Sequence, residues 1–239
     1  MVRTRNPLNI GAAARAMSNF GFFHLRLVNP YEPSFREARS AVGASTVLAD
    51  AEVYRSVADA VADCSLIVGT TAVRHRELQH PLRLLESGAR LIRKRIASST
   101  VALLFGSEKV GLSNADISHC HWLMCIPTHQ KHISMNLGQA VAVCLYELVR
   151  GAGARMQPEK QSQPGKLEKQ PAKASELERI TVMLLDALCA SGYLDSPSSA
   201  TAQEKVRRMV RRLNLPTQDA EVWLGMFRQM VWKMRSEKV

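Results

Sequence analysis

The stretch Val101-Ala-Leu-Leu-Phe-Gly-Ser-Glu-Lys-Val-Gly-Leu-Ser-Asn114 decides how the chain is read. It opens with a continuous apolar run, too short for an ordinary helix and lacking the alternation of a half-exposed strand. Such a run fits a strand buried on both faces of a parallel sheet. Gly106 ends the run and lets the backbone approach a neighbour closely. Glu108 puts a carboxylate in the turn, and Ser113 or Asn114 can cap the helix that follows. Open α/β sheets bind ligands at the C-terminal ends of their strands, so this turn is a candidate site. It is neither the GxGxxG of dinucleotide binders nor the GxxxxGK[ST] of phosphate loops. A plain strand–turn–helix connection would account for the same residues.

Working outward, similar runs recur at Leu25–Val28, Ser65–Gly69 and Trp122–Ile126. Between them Asn9–Phe20, Val57–Asp63, Leu82–Ile96 and Leu137–Arg150 carry helical patterning. That alternation predicts an α/β domain with an open parallel sheet over residues 1–150. Two more segments attract attention. In Asn9-Ile-Gly-Ala-Ala-Ala-Arg-Ala-Met17 small residues allow close approach, Asn9 can cap the helix, and Arg15 follows within two turns of a helix start that attracts anions. The alternative is an Ala-rich packing helix with an exposed arginine. In Ile126-Pro-Thr128 and Ile133-Ser-Met-Asn-Leu137, Ser134 and Asn136 place polar groups where a helix starts, which capping alone would also explain.

The formal net charge of +11 and a pI near 9.8 imply a polyanionic partner or a membrane surface. No apolar run approaches a membrane span, and Asn6, Pro7 and Asn9 interrupt any signal-like pattern at the N-terminus. The five cysteines form no framework, which predicts reduced thiols and a cytoplasmic protein. Nucleic acid is then the favoured anion. The charge is spread as +6 over residues 1–150, +3 over 151–174 and +2 over 175–239, which favours a folded basic surface over a disordered arm. Residues 151–174, rich in Pro, Gln and Lys, read as a flexible linker. Residues 175–239 read as a helical extension, with Ser175 a candidate N-cap and Glu178 placed for a capping box. Its basic helix Lys205–Arg212 has two readings, an RNA-phosphate surface or the wet face of a packed helix. Arg90, Arg93, Lys94 and Arg95 share that ambiguity. The group His119, Cys120, His121, Cys125, His129 and His132 suggests zinc, but Cys125 lies inside an apolar run and no metal is expected.

Taken in order and spacing, the three segments around Asn9–Met17, Phe105–Asn114 and Ile126–Leu137 resemble the signature motifs of the SpoU/TrmH family of knotted SPOUT RNA ribose methyltransferases. The resemblance covers roughly residues 3–150. It is nearest to the TrmJ-like subgroup, whose helical C-terminal extension is similar to Lys205–Met230. It implies a C-terminal trefoil knot, a rare exception to ordinary chain topology. It also implies S-adenosyl-L-methionine bound in a bent form within the knot and a homodimer in which both subunits shape the active site. By motif position the cofactor residues would be Thr70, Thr71, Ala72, Gly106, Ile126, Ile133, Ser134 and Met135. The catalytic set would be Arg15, Asn9, Glu108, Ser134 and Asn136, with Arg15 acting as general base or as a clamp on the substrate phosphate. The implied activity is 2′-O-ribose methylation of tRNA, at the anticodon-loop position 32 cytidine or uridine. Methylation of rRNA, or RNA binding without catalysis on the same fold, are the alternatives. Two features depart from the pattern. Met135 stands where leucine is usual, and only a stub, Met1–Arg5, stands for the family's first strand. That stub leaves either a short first strand or a start placed too far downstream.

Overall fold

The computed structural model describes residues 1–40, 46–72, 79–129, 131–150, 170–196 and 199–236. Helix α1 (Pro7–Asn19) begins two residues earlier than its apolar pattern suggests. Asn6 is the N-cap, accepting the Leu8 N–H at 2.9 Å, and Pro7 occupies the first helical position, where its missing N–H costs nothing. The expectation that Asn9 caps this helix is therefore wrong. Asn9 lies inside the first turn, which frees its side chain. Strand β1 (Arg26–Val28), helices α2 (Glu32–Ser40) and α3 (Thr46–Ala49), strand β2 (Glu52–Tyr54) and the single turn α4 (Val57–Ala60) come next. Then follow β3 (Leu66–Thr70), β4 (Leu82–Leu84), α5 (Leu85–Ile96), β5 (Val101–Leu104), α6 (Asn114–Ser118), β6 (Trp122–Cys125) and α7 (Leu137–Val149). The helix expected over Leu82–Ile96 gives up its first three residues to β4. That strand is short, exposed and paired with β6, so nothing local marks it off from the helix start.

Strands β4-β6-β3-β5 form one parallel sheet in that order, and β1-β2 form a second. The N-terminal stub joins them. The Val2 N–H donates to the Phe105 carbonyl at 2.8 Å, while the Arg3 N–H donates to the Val28 carbonyl at 2.8 Å. Val2 pairs in parallel with Val28 and is 1% exposed. The apolar runs behave as their composition requires, with Leu66–Gly69 and Trp122–Cys125 buried throughout. The last strand of this domain, β6, inserts between β3 and β4, both of which precede it. A chain threaded through its own earlier loop, as the expected knot demands, makes such an insertion.

Ala89 and Ile92 of α5 and Val141 and Leu145 of α7 pack with Val68 and Met124 in one core. Val57 of α4 and Ile117 of α6 pack with Ile67 and Leu123 in another. Helices α8 (Ala174–Ala190), α9 (Ala200–Arg212) and α10 (Thr217–Ser236) build a core of their own around Leu177, Ile180, Val210 and Phe227. Most of the expected linker, 151–169, lies outside the described residues. Where the chain resumes, α8 is tied to the sheet domain: the Ala174 N–H donates to the Cys64 carbonyl at 2.8 Å and the Ser175 N–H to Ala62 at 3.1 Å. Ser175 is not the N-cap. The helix starts one residue earlier, and Glu176 accepts the Lys173 N–H at 2.6 Å. Glu178 instead accepts Arg207 Nη2 at 2.7 Å and Arg211 Nη2 at 3.4 Å. The basic helix therefore divides. Arg207 and Arg211 face inward as structural ion pairs, and Lys205 and Arg212 stay exposed.

Candidate active site

The C-terminal ends of β3, β5 and β6 meet at one edge and are tied to each other there. Thr70 Oγ1 donates to the Leu104 carbonyl at 2.8 Å, and the Thr71 N–H to the Met124 carbonyl at 2.9 Å. Beyond this edge lies a cavity of about 310 Å³. Thr70, Thr71, Ala72, Gly106, Ile126, Ile133, Ser134 and Met135, the eight residues expected to hold a cofactor, all line it. Glu108 and Lys109 line it too. A larger cavity of about 620 Å³ lies between β1 and β5, but it contains none of the expected site residues and is walled by core side chains.

The loop after β5 takes its shape from two glycines. Gly111 has φ +70° and its N–H returns to the Ser107 carbonyl at 2.9 Å, closing the turn. A Cβ on Gly106 would stand 2.0 Å from the Gly111 carbonyl carbon, so only glycine allows the two backbones to meet. The Ser113 side chain caps α6 and Asp116 completes the capping box. The folded-back turn presents Glu108 toward α1. Its carboxylate accepts the Asn6 N–H at 3.1 Å, the Arg5 N–H at 3.2 Å and Asn9 Nδ2 at 3.1 Å. Burial by itself would raise the Glu108 carboxyl. Hydrogen bonds from its own backbone, Asn9, Asn6 and Arg5 outweigh that and hold it below the usual carboxylate range.

Asn9 passes the connection on. Its Oδ1 accepts Asn136 Nδ2 at 2.8 Å, while Asn136 Oδ1 caps α7 by accepting the Gln139 N–H at 3.2 Å. Glu108, Asn9 and Asn136 thus form one hydrogen-bonded line across three distant segments. Helices α1 and α7 approach closely beside it because Gly138 has no side chain. A Cβ there would lie 2.7 Å from that of Ala12. Of the five residues expected to be catalytic, the structure brings Asn9, Glu108 and Asn136 into this line and sets Ser134 on the cavity wall. Arg15 stands apart. It is exposed, does not line the cavity, and makes no hydrogen bond or ion pair within the described residues. The sequence reading missed the backbone amides of Arg5 and Asn6. The Asn6-Pro7 pair, an N-cap before a first-position proline, was the signal that could have located them.

Among the described residues the cavity presents one carboxylate, Glu108, and one ammonium, Lys109, with aliphatic walls and the hydroxyls of Thr70, Thr71, Thr128 and Ser134. With no arginine and a single lysine among the described lining residues, it is poorly suited to a polyphosphate cofactor. It suits an apolar ring with hydroxyls and a compact positive centre, the chemistry of S-adenosyl-L-methionine. Within the suggested zinc group, His121 Nδ1 accepts the Ile67 N–H at 3.1 Å, and Cys120 and Cys125 are buried. Among the described residues no cluster of three or more His, Cys, Asp or Glu could hold a metal.

Known proteins align with this arrangement. The SpoU rRNA Methylase family matches residues 1–146. The chain is 34% identical to the tRNA (cytidine/uridine-2′-O-)-methyltransferase TrmJ of Sodalis glossinidius, over 95% of this chain and 88% of that protein. It is 33% identical to the protein of the same name from Cronobacter sakazakii, over 100% and 96%. The crystal structure of TrmJ from Z. mobilis ZM4 superposes with a TM-score of 0.80 at 32% identity, covering 96% of each chain.

Proposed function

The chain belongs to the SpoU rRNA Methylase family, and on that footing we propose that it transfers a methyl group from S-adenosyl-L-methionine to a ribose 2′-hydroxyl of tRNA. The observation that carries the reading is the line Glu108–Asn9–Asn136. It joins three separated motif segments beside a cavity suited to that cofactor. Packing or capping alone does not require it.

The cofactor, when bound, supplies an electrophilic methyl group, so the protein has to position and to handle a proton. Thr70–Ala72, Gly106, Ile126 and Ile133–Met135 hold it. Glu108, kept ionised, fixes the Asn9 amide, which in turn fixes Asn136 at the start of α7. Ser134, exposed on the wall two residues away, is free to meet the substrate ribose. Arg15 clamps the phosphate next to the target ribose through its forked N–H groups, a task that needs an exposed, unpaired guanidinium. That clamp reads more directly than a general base, because arginine seldom gives up its proton.

The protein works as a homodimer. Arg15 is exposed and does not line its own cavity, its helix also exposes Leu8 at 78%, and the neighbouring α7 exposes Val143 and Tyr146. A second copy seated on α1 and α7 would bury these apolar groups and complete the site. The chain divides into a methyltransferase domain over 1–150, a linker over 151–174 and a helical extension over 175–239 that has its own core. The target is a cytidine or uridine, at anticodon-loop position 32. Its compartment is the cytoplasm, a reading supported by five cysteines that form no disulfide; among the described residues no helix is long and apolar enough to cross a membrane.

The test is methyl transfer from labelled S-adenosyl-L-methionine to unmodified tRNA and rRNA, with nucleoside mass analysis. A 2′-O-methylated pyrimidine nucleoside from tRNA, absent with Arg15→Ala, is expected. Methylation confined to rRNA would move the substrate. No transfer by folded protein that binds the cofactor would leave an RNA-binding role.

A further inference from the structure

The amides that hold Glu108 belong to a short strap, Arg3–Asn6, between the Val2 bridge and α1. The strap is fastened at four points. The Arg3 N–H donates to the Val28 carbonyl and the Tyr31 N–H to the Thr4 carbonyl, at 2.8 and 3.0 Å. The Ser34 hydroxyl donates to the Arg5 carbonyl. The fourth fastening is an ion pair across the fold: the Arg3 guanidinium straddles Asp116, with Nη1 3.2 Å from Oδ1 and Nη2 against Oδ2.

Arg3 reaches this pose with φ +51°, a left-handed conformation that side chains other than glycine adopt at a cost. Such strain persists only where the surroundings over-determine it, and it gathers at sites where geometry matters. Asp116 is 4% exposed, and it also accepts the Ser113 N–H at 2.7 Å. A buried carboxylate on α6, at the far end of the Glu108 turn, therefore holds one end of the strap, while Glu108 receives the two amides at the other end. The turn and the strap are locked together from both sides.

We infer that Arg3 and Asp116 are positioning residues for methyl transfer, acting by fixing the amides of Arg5 and Asn6 against Glu108. This rests on the proposed role of Glu108. Without the pair the strap relaxes to right-handed backbone at Arg3, the two amides drift, and Glu108 no longer fixes Asn9.

Asp116 also serves the α6 cap, so the principal variant is Arg3→Met, which leaves that cap intact. Assayed well below its melting temperature, its kcat should fall about tenfold or more with KM for S-adenosyl-L-methionine near wild type, while the melting temperature itself drops because the buried Asp116 loses its ion-pair partner. Arg3→Lys, which keeps the charge but not the fork, should recover part of kcat. Hydrogen exchange of the Arg5 and Asn6 amides should speed up in Arg3→Met, a readout that needs no activity. Unchanged exchange at both amides, or wild-type kcat in Arg3→Met, overturns the inference. A wild-type protein that transfers no methyl group defeats the reading of the site, and the exchange rates then decide the strap by themselves.

Discussion

Asn136 donates its side-chain amide to the Asn9 side-chain oxygen Oδ1 at 2.8 Å, across 127 positions of sequence. An asparagine at a helix start is ordinarily accounted for by its cap. Here one oxygen serves the cap and the nitrogen is left for Asn9, whose own nitrogen is committed to Glu108. Each amide in the line is thereby held in one orientation.

Replacing Asn9 by Asp should be far worse than replacing it by Ala. The new carboxylate would face Glu108 at hydrogen-bond distance, and two like charges there cannot both ionise without penalty. Asn9→Ala should lower kcat about 100-fold, in the range typical of losing an oriented polar group at a reacting centre, and Asn9→Asp by more. Steady-state methyl transfer on tRNA measures both, and equal losses would show that the charge of Glu108 is not felt at this position.

Arg15 offers a clean separation of catalysis from folding. It is exposed and unpaired among the described residues, so Arg15→Ala should change unfolding free energy by no more than about 0.5 kcal/mol. Turnover should collapse. Arg15→Lys keeps the charge and loses the bidentate fork, so it should remain strongly impaired. Near-normal turnover in the lysine variant would remove Arg15 from the mechanism.

Gly106→Ala should abolish the tight turn that carries Glu108. The added methyl would lie 2.0 Å from one backbone atom and 2.2 Å from another, so the loop has to move. The expected result is a loss of cofactor affinity of about tenfold or more and overpacking of about 1–3 kcal/mol, read by calorimetric titration and thermal unfolding. Wild-type affinity would mean that the loop can open without cost.

Acid should weaken the fold before it titrates ordinary carboxylates. Burial drives His80 and His119 down to about 4 and His121 to about 3, with nearby arginines adding to the effect. These folded-state values lie below the unfolded value near 6.5. The unfolded chain therefore takes up protons first as pH falls, and stability present above about pH 6.5 is lost progressively toward pH 4. Melting temperature measured across that window should fall, less steeply in His119→Gln. A flat profile would mean that the histidines protonate in place without penalty.

Glu178→Ala should loosen the helical extension. It would strip Arg207 of its carboxylate and leave the 1%-exposed Arg211 guanidinium in the interior with only the Ala174 carbonyl. Breaking one side of a buried pair costs about 3–5 kcal/mol. Thermal unfolding followed at Trp223 and Trp232 should show the C-terminal helices melting at lower temperature.

Much of the architecture is legible along the chain because its signals are local. Leu66–Gly69 and Trp122–Cys125 are apolar without interruption because both their faces are covered, and composition alone registers that. Strands β2 and β4 escape such a reading. They are three residues long and largely exposed, and their identity comes from pairing with β1 and β6. Asn6 and Pro7 mark the true start of α1. The more conspicuous Asn9 draws attention from them because an asparagine before small residues looks like a cap.

The sequence by itself determined the parallel α/β class, the helical nature of the C-terminal third and the residue types present at the three motif segments, since apolar period and turn chemistry are properties of neighbours in the chain. Only the tertiary structure decided which polar groups meet. The line from Glu108 through Asn9 to Asn136, the diversion of Glu178 from capping α8 to pairing with Arg207 and Arg211, and the grip of Asp116 on Arg3 depend on strand order and helix packing. Those bring residues from distant segments within 3.5 Å of one another, a distance at which hydrogen bonds and buried charge, and no longer local propensity, set the outcome.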